Sequence, residues 1–260
     1  MTQALLIESG NGVLRLRMNR PAVHNAFDDA LIAELTAALL EAAQGPERVV
    51  VLESEGPSFS AGADLNWMRS LIGADEQTNL ADAQRLALLM RTLNELPKPT
   101  IAKVQGPAFG GGVGLIACCD MAIGASTALF ALSEAKLGLL PAVISPYVIE
   151  AIGARQARRY FATAERFDAG KALQMGLLHD VVAPEELDAT VDVLVKTLLS
   201  AGPVASGTAK QLIRDVLAAE DAAAQDATTA ARIAALRVSP EGQEGLTAFL
   251  EKRKPTWMSF

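Results

Sequence analysis

At 260 residues and half apolar, the chain holds enough core-forming material for a folded domain, so disorder is not the default. Charged residues make up 20% and the net charge is −7, which excludes a broad phosphate-backbone surface and leaves room only for a local basic patch holding one small anion. Nucleic acid is therefore not an expected partner.

The opening stretch lacks a basic region followed by a long apolar segment and a small-residue cleavage site, so export is not indicated and a soluble, cytoplasmic chain is expected. Residues 5–7 and 13–18 alternate about Gly10-Asn11-Gly12 and predict a hairpin, which Asn19-Arg20-Pro21 ends. From Asp28, apolar residues at 31, 32, 35, 38, 39 and 42 recur at helical spacing until Gly45-Pro46. Residues 49–52 read as a strand buried on both faces, and 55–64 as a loop of small residues. Residues 80–96 predict an amphipathic helix ended by Pro97 and Pro99, and 100–104 another buried strand.

The next helix begins inside Gly110-Gly111-Gly112. The apolar stretch 104–123 around it is not a membrane span, because five glycines, a proline and Asp120 interrupt it. Cys118 and Cys119 have no histidine or further cysteine at metal-ligand spacing and read as buried thiols, so no metal is expected. Strands follow at 121–124, 128–132 and 179–182, and helices at 146–152, 154–162 and 169–175. After Pro184 the pattern is helical, at 185–199, 205–218, 226–236 and 241–252. A boundary near residue 200 separates an α/β part, residues 1–200, from a helical appendage, residues 201–260, which packs on its own core or on neighbouring chains.

The glycine run is the first chemical signal. Glycines between a strand and a helix leave backbone N–H groups unpaired and let a ligand approach them, and the helix start adds partial positive charge. The run lacks the Lys and Ser/Thr of a phosphate loop, and no acidic ribose ligand accompanies it. By itself it is equally a packing device. A second small-residue loop, GPSFSAGADLNWM, also follows a buried strand; if the two converge, one N–H from each holds a thioester oxygen and stabilises an enolate.

The combination NRPAVHNAF, SFSAGADL, GPAFGGGVGL, FALSEAKLGLLP and FLEKRKPTW resembles the enoyl-coenzyme A hydratase/isomerase family, the crotonases, over essentially the whole chain. That resemblance implies a spiral of strand, strand and helix units followed by a helical region that builds homotrimers, commonly paired into hexamers. It implies an acyl-coenzyme A thioester as ligand, with no separate cofactor because coenzyme A is part of the substrate. By matching motifs, the oxyanion donors are the N–H groups of Ala63 and Gly111, and Glu134 is the carboxylate acting as acid and base. His24, Asn25, Ala26, Ser60 and Ala61 match the coenzyme A segments, and Phe249 and Lys252 the pair that reaches coenzyme A on a neighbouring subunit. Asp64, Leu65, Trp67, Gly110 and Leu137 complete the substrate-binding set, with Met68 beside Trp67 along the acyl tunnel. Asp64 is also read as orienting the oxyanion loop, and Asp120 as organising a helix end or strand start.

One departure stands out. Two-glutamate hydratases carry their first glutamate in the helix after the glycine run, where this chain has Gly114. One carboxylate suffices for water addition if the water passes its proton through it, and equally for double-bond isomerisation. The stretch from Leu132 to Leu177 resembles bacterial methylglutaconyl-coenzyme A hydratases of leucine breakdown and relatives acting on carboxygeranoyl-type thioesters. These substrates carry a second carboxylate, which implies a cationic or hydrogen-bonding pocket at the acyl end. Arg155, Arg158 and Arg159 read as surface helix residues and Tyr147, Asn66 and Ser145 as packing or turn residues. Hydratase, isomerase and non-catalytic binding homologue all fit the motifs; Glu134 argues against the last, and the local resemblance favours hydration.

Overall fold

The computed structural model describes residues 3–258. Leu5–Gly10 (β1) and Val13–Met18 (β2) form the expected hairpin, with Asn11 and Gly12 at φ 51° and 77°, the left-handed pair that a two-residue hairpin turn requires. The strands that follow are Val49–Ser54 (β3), Thr100–Val104 (β4), Ala108–Phe109 (β5), Met121–Ala125 (β6), Leu129–Ala131 (β7), Phe167–Asp168 (β8) and Asp180–Val182 (β9). They make a six-stranded sheet in the order β1-β2-β3-β4-β6-β9, parallel after the hairpin, and a small sheet in the order β5-β7-β8.

Side-chain alternation explains why β3 is buried throughout. Val50 and Leu52 face one core with Leu31, Leu35 and Leu39 of Asp29–Gln44 (α1), while Val49 and Val51 turn to the other face. There they meet Ile101, Ile123 and the apolar stripe Leu187, Val191 and Val195 of a later helix, Leu187–Ser200. Burying each such aliphatic side chain stabilises the fold by roughly 1.5–3 kcal/mol.

The remaining helices, in chain order, are Leu65–Ser70 (α2), Glu76–Asn94 (α3), Gly111–Cys118 (α4), Ser145–Thr163 (α5), Ala169–Met175 (α6), the Leu187–Ser200 helix itself (α7), Pro203–Leu217 (α8), Ala222–Val238 (α9) and Pro240–Leu250 (α10). After β3, β4 and β6 the chain steps into a second layer before turning helical: Ser60 bridges Ala108, β5 pairs with β7, and helices follow each step. This repetition is the expected spiral, and it brings successive turns to a common edge.

Several details depart from the sequence expectation. Helix α3 starts at Glu76 because the Asp75 carboxylate accepts the Thr78 N–H, and α9 starts at Ala222 because Asp221 caps Ala224 in the same way. The helices expected at 146–152 and 154–162 run together as α5, broken in conformation only at Gly153, whose φ of 75° leaves the helical region. The last helix stops at Leu250, and Lys252 follows it at φ 53°. Short elements α2, β5 and β8 were not expected; two-residue strands and a six-residue helix are too brief for periodicity to reveal. Among the described residues no helix is long and apolar enough to cross a membrane.

Candidate active site

The two small-residue loops do converge. At Gly62, with φ +84°, a β-carbon would stand 2.8 Å from the Phe109 carbonyl oxygen, so only glycine lets the loop pass that close to the strand leading into the glycine run. The Gly62–Ala63 peptide is held from one side: its carbonyl accepts the Phe27 N–H at 2.8 Å, and the Asp64 N–H returns to the Phe27 carbonyl at 3.0 Å. A trans peptide points its C=O and N–H in opposite directions, so the Ala63 N–H faces away from Phe27, toward the cavity that Ala63 lines.

The second donor is set by the same device. The Gly110 N–H donates to the Ala131 carbonyl and the Gly110 carbonyl accepts from Val113, both at 2.9 Å, leaving the Gly111 N–H as the first orphan donor of α4. The ring of Phe27 lies against Gly111 so closely that a β-carbon there would fall 2.3 Å from its Cζ. Phe27 thus touches both donor segments, one through its backbone and one through its ring.

Glu134 sits in a 3₁₀ turn, Ser133–Leu137, at the next turn of the spiral. Its Oε1 lies 2.9 Å from where a β-carbon on Gly110 would stand, and its Oε2 is sealed from solvent with no hydrogen-bond partner among the described residues. Burial pushes the carboxyl above the ordinary carboxylate range. A carboxyl held in that way, next to two convergent N–H donors, can take a proton and return it while an oxyanion is stabilised nearby.

These groups border a cavity of about 680 Å³. Ala61, Leu65, Trp67, Met68, Gly110 and Leu137 line it, together with Leu86, Leu140, Val143 and Ile144. Glu134 is its single ionisable group among the described residues, so of the cationic or hydrogen-bonding pocket expected at the acyl end the lining offers no cation and only the Ser133 hydroxyl. Arg155, Arg158 and Arg159 are exposed, Arg159 pairing with Glu165. Tyr147 lines a separate cavity, the Ser145 hydroxyl donates to the Ala142 carbonyl, and the Asn66 side chain accepts from Arg69.

Other expected ligand residues brace the loops instead of lining the cavity. Asn25 is fully buried; its amide donates to the Glu55 and Ser58 carbonyls, and its oxygen accepts the Arg20 N–H. The buried Ser60 hydroxyl donates to the Asn25 carbonyl and accepts the Gly62 N–H, and Ala26 offers its carbonyl to Arg20. His24 is exposed at φ 54°, its Nδ1 3.0 Å from the Ser58 hydroxyl and its carbonyl accepting the Ala61 N–H. Asp64 caps α2 by accepting the Asn66 and Trp67 N–H groups. Asp120 accepts the Thr100 N–H and hydroxyl and pairs with Lys210, tying the starts of β4 and β6 together. Phe249 and Lys252 are exposed and do not line the cavity within one chain.

Ile144 and Phe27 are cavity-wall residues that sequence reasoning missed, since nothing local marks an apolar side chain as the wall of a cavity. A β-carbon at Gly114 would stand 2.2 Å from Ile144 Cγ2 and 3.3 Å from the Met90 methyl. Ile144 therefore occupies the notch that a side chain at 114 would need. Among the described residues no three metal-ligating side chains come together.

Residues 8–259 match the enoyl-CoA hydratase/isomerase family. The chain is 33% identical over 254 residues to enoyl-CoA hydratase domain-containing protein 3, mitochondrial, of Danio rerio, covering 97% of this chain and 86% of that one. It is 32% identical to crotonyl-CoA hydratase of Syntrophomonas wolfei, with 98% of each covered. The crystal structure of an enoyl-CoA hydratase from Shewanella pealeana superposes with a TM-score of 0.95 at 47% identity, covering 98% of this chain and 96% of that one.

Proposed function

From the premise that this chain belongs to the enoyl-CoA hydratase/isomerase family, we propose that it hydrates the double bond of an α,β-unsaturated acyl-CoA with Glu134 as its one carboxylate. The observation that carries this reading is Glu134, the one ionisable group in the cavity lining among the described residues, beside the cavity-facing N–H groups of Ala63 and Gly111. Water adds its oxygen to the β-carbon as Glu134 takes its proton, and the π electrons move onto the thioester oxygen held by the two N–H groups. The enolate then collapses, and the α-carbon takes the proton back from Glu134, so water is added across the bond and the carboxylate is regenerated. Coenzyme A enters and leaves as part of the substrate, with no separate cofactor.

The finer assignment, 3-methylglutaconyl-CoA to 3-hydroxy-3-methylglutaryl-CoA in leucine catabolism, rests on the sequence from Leu132 to Leu177. With no Arg, Lys or His in the cavity lining among the described residues, the far carboxylate of such a substrate would lie at the mouth, in water. The apolar lining favours the longer, branched carboxygeranoyl-type thioester as a second reading. Assays on 3-methylglutaconyl-, carboxygeranoyl-, crotonyl- and 3-hexenoyl-CoA are expected to show hydration of a branched substrate with the highest kcat/KM. Migration of the double bond in 3-hexenoyl-CoA alone, with no water incorporated, would replace hydration by isomerisation.

We also propose that residues 201–260 form the surface through which a homotrimer or hexamer is built, with Phe249 and Lys252 meeting coenzyme A bound to a neighbouring subunit. Phe249 and Leu250 are 81% and 78% exposed at the end of α10, an apolar surface suited to burial against another copy. Light scattering is expected to give a trimer or a hexamer; a monomer at assay concentration overturns this part.

A further inference from the structure

We propose that Arg20 is a positioning residue that fixes the direction of the Ala63 N–H, the oxyanion donor of the reading above, on which this inference rests. The Arg20 Nη1 donates to the Ala26 carbonyl at 2.6 Å, while Nη2 lies 2.8 Å from Asp28 and 3.1 Å from Asp64. Ala26 and Asp28 flank Phe27, whose N–H holds the Gly62–Ala63 peptide; Asp64 follows Ala63 directly. One guanidinium therefore grips the chain on both sides of the Phe27–Ala63 bridge. Its two carboxylates are also the caps of α1 and α2, so a shift of either helix is transmitted to the donor peptide.

The clamp is itself anchored. The Arg20 N–H donates to the buried Asn25 side chain, and the Arg20 carbonyl accepts from Val23 and Asn25. The forked geometry matters here, because a lysine ammonium offers a point charge and cannot span a carbonyl and two carboxylates with fixed angles. Arg20 does not line the cavity, so it acts through the peptide it holds and not on the substrate.

The test reads the oxyanion site directly. Acetoacetyl-CoA is a β-ketothioester whose enolate has its own ultraviolet absorbance, so the enolate fraction of the bound ligand at fixed pH reports on the two N–H groups. Arg20→Met is expected to lower that fraction and to reduce kcat by about 10²-fold, the scale of a small misplacement, with KM changed by less than about threefold. Arg20→Lys, which keeps the charge and covers the case in which the methionine variant does not fold, is expected to fall between. Val191→Ala removes packing on the far face of the sheet; it should lower Tm and leave the enolate fraction of the folded protein as it was. Folded Arg20 variants with wild-type enolate fraction and kcat overturn the proposal. If the wild-type protein binds acetoacetyl-CoA without raising its enolate fraction, the hydratase reading itself fails and takes the clamp with it.

Discussion

Replacing Glu134 by glutamine is expected to lower kcat by roughly 10²- to 10⁴-fold, the range for losing a positioned acid or base, while acyl-CoA binding persists. Glutamine keeps the shape of the side chain in the 3₁₀ turn but neither takes nor returns a proton. Wild-type turnover by a folded Glu134→Gln protein would falsify the assignment. The same substitution has a second signature. Burial raises the carboxyl pKa in the folded chain above its ordinary value of 4.5, so the folded state binds the proton more tightly than the unfolded one. The resulting stability is whole below the unfolded pKa and is lost as pH rises through the folded pKa. Glutamine does not titrate, so the Tm of the variant relative to wild type should rise as pH increases from 4.5 to 8, and a gap independent of pH would contradict the burial argument. In wild type the limb of the rate profile that reports the base should lie above the usual carboxylate range for the same reason.

The second large effect is expected at Gly111. A methyl group there would stand 2.3 Å from the Phe27 ring, so either the ring moves into the cavity or the start of α4 moves away from it. The first crowds the cavity and the second displaces a donor, and loss of one oxyanion donor costs roughly 10²- to 10³-fold in kcat. Gly111→Ala should therefore approach that loss, and adding Phe27→Leu, which shortens the ring that collides, should recover part of it. Full activity in Gly111→Ala would remove the Gly111 N–H from the mechanism.

How much of this was legible in the sequence depends on the range of the interaction. Asp28 before an apolar helical repeat and Asn11-Gly12 between alternating strands are local signals, and the elements they predict are present. The close approach of the two small-residue loops was also legible, whereas the choice of Ala63 and Gly111 within them came from the family motifs and not from the glycines alone. What was not legible is what lies beside them. Asn25 and Ser60, expected as ligand contacts, spend their polar atoms on the loops because the segments 55–62 and 20–27 pack face to face, a fact that neither segment contains by itself. Arg20 has the same origin: the partners of its guanidinium are six to forty-four positions away, and no spacing rule links them. The cationic or hydrogen-bonding acyl pocket was inferred from a substrate class; the lining among the described residues carries no cation, and Ser133 is its one hydroxyl.

The notch at Gly114 also constrains how such a sequence can change over generations. A glutamate introduced there first meets Ile144 and Met90, and the protein must absorb an overpacked core, typically 1–3 kcal/mol. If Ile144 shrinks to alanine first, the vacated space costs about 2–5 kcal/mol before any glutamate arrives. Either order passes through a destabilised intermediate, so the two positions are epistatic. A lineage with glycine at 114 and isoleucine at 144 is thereby held in its one-carboxylate form by packing, whatever the advantage of a second carboxylate.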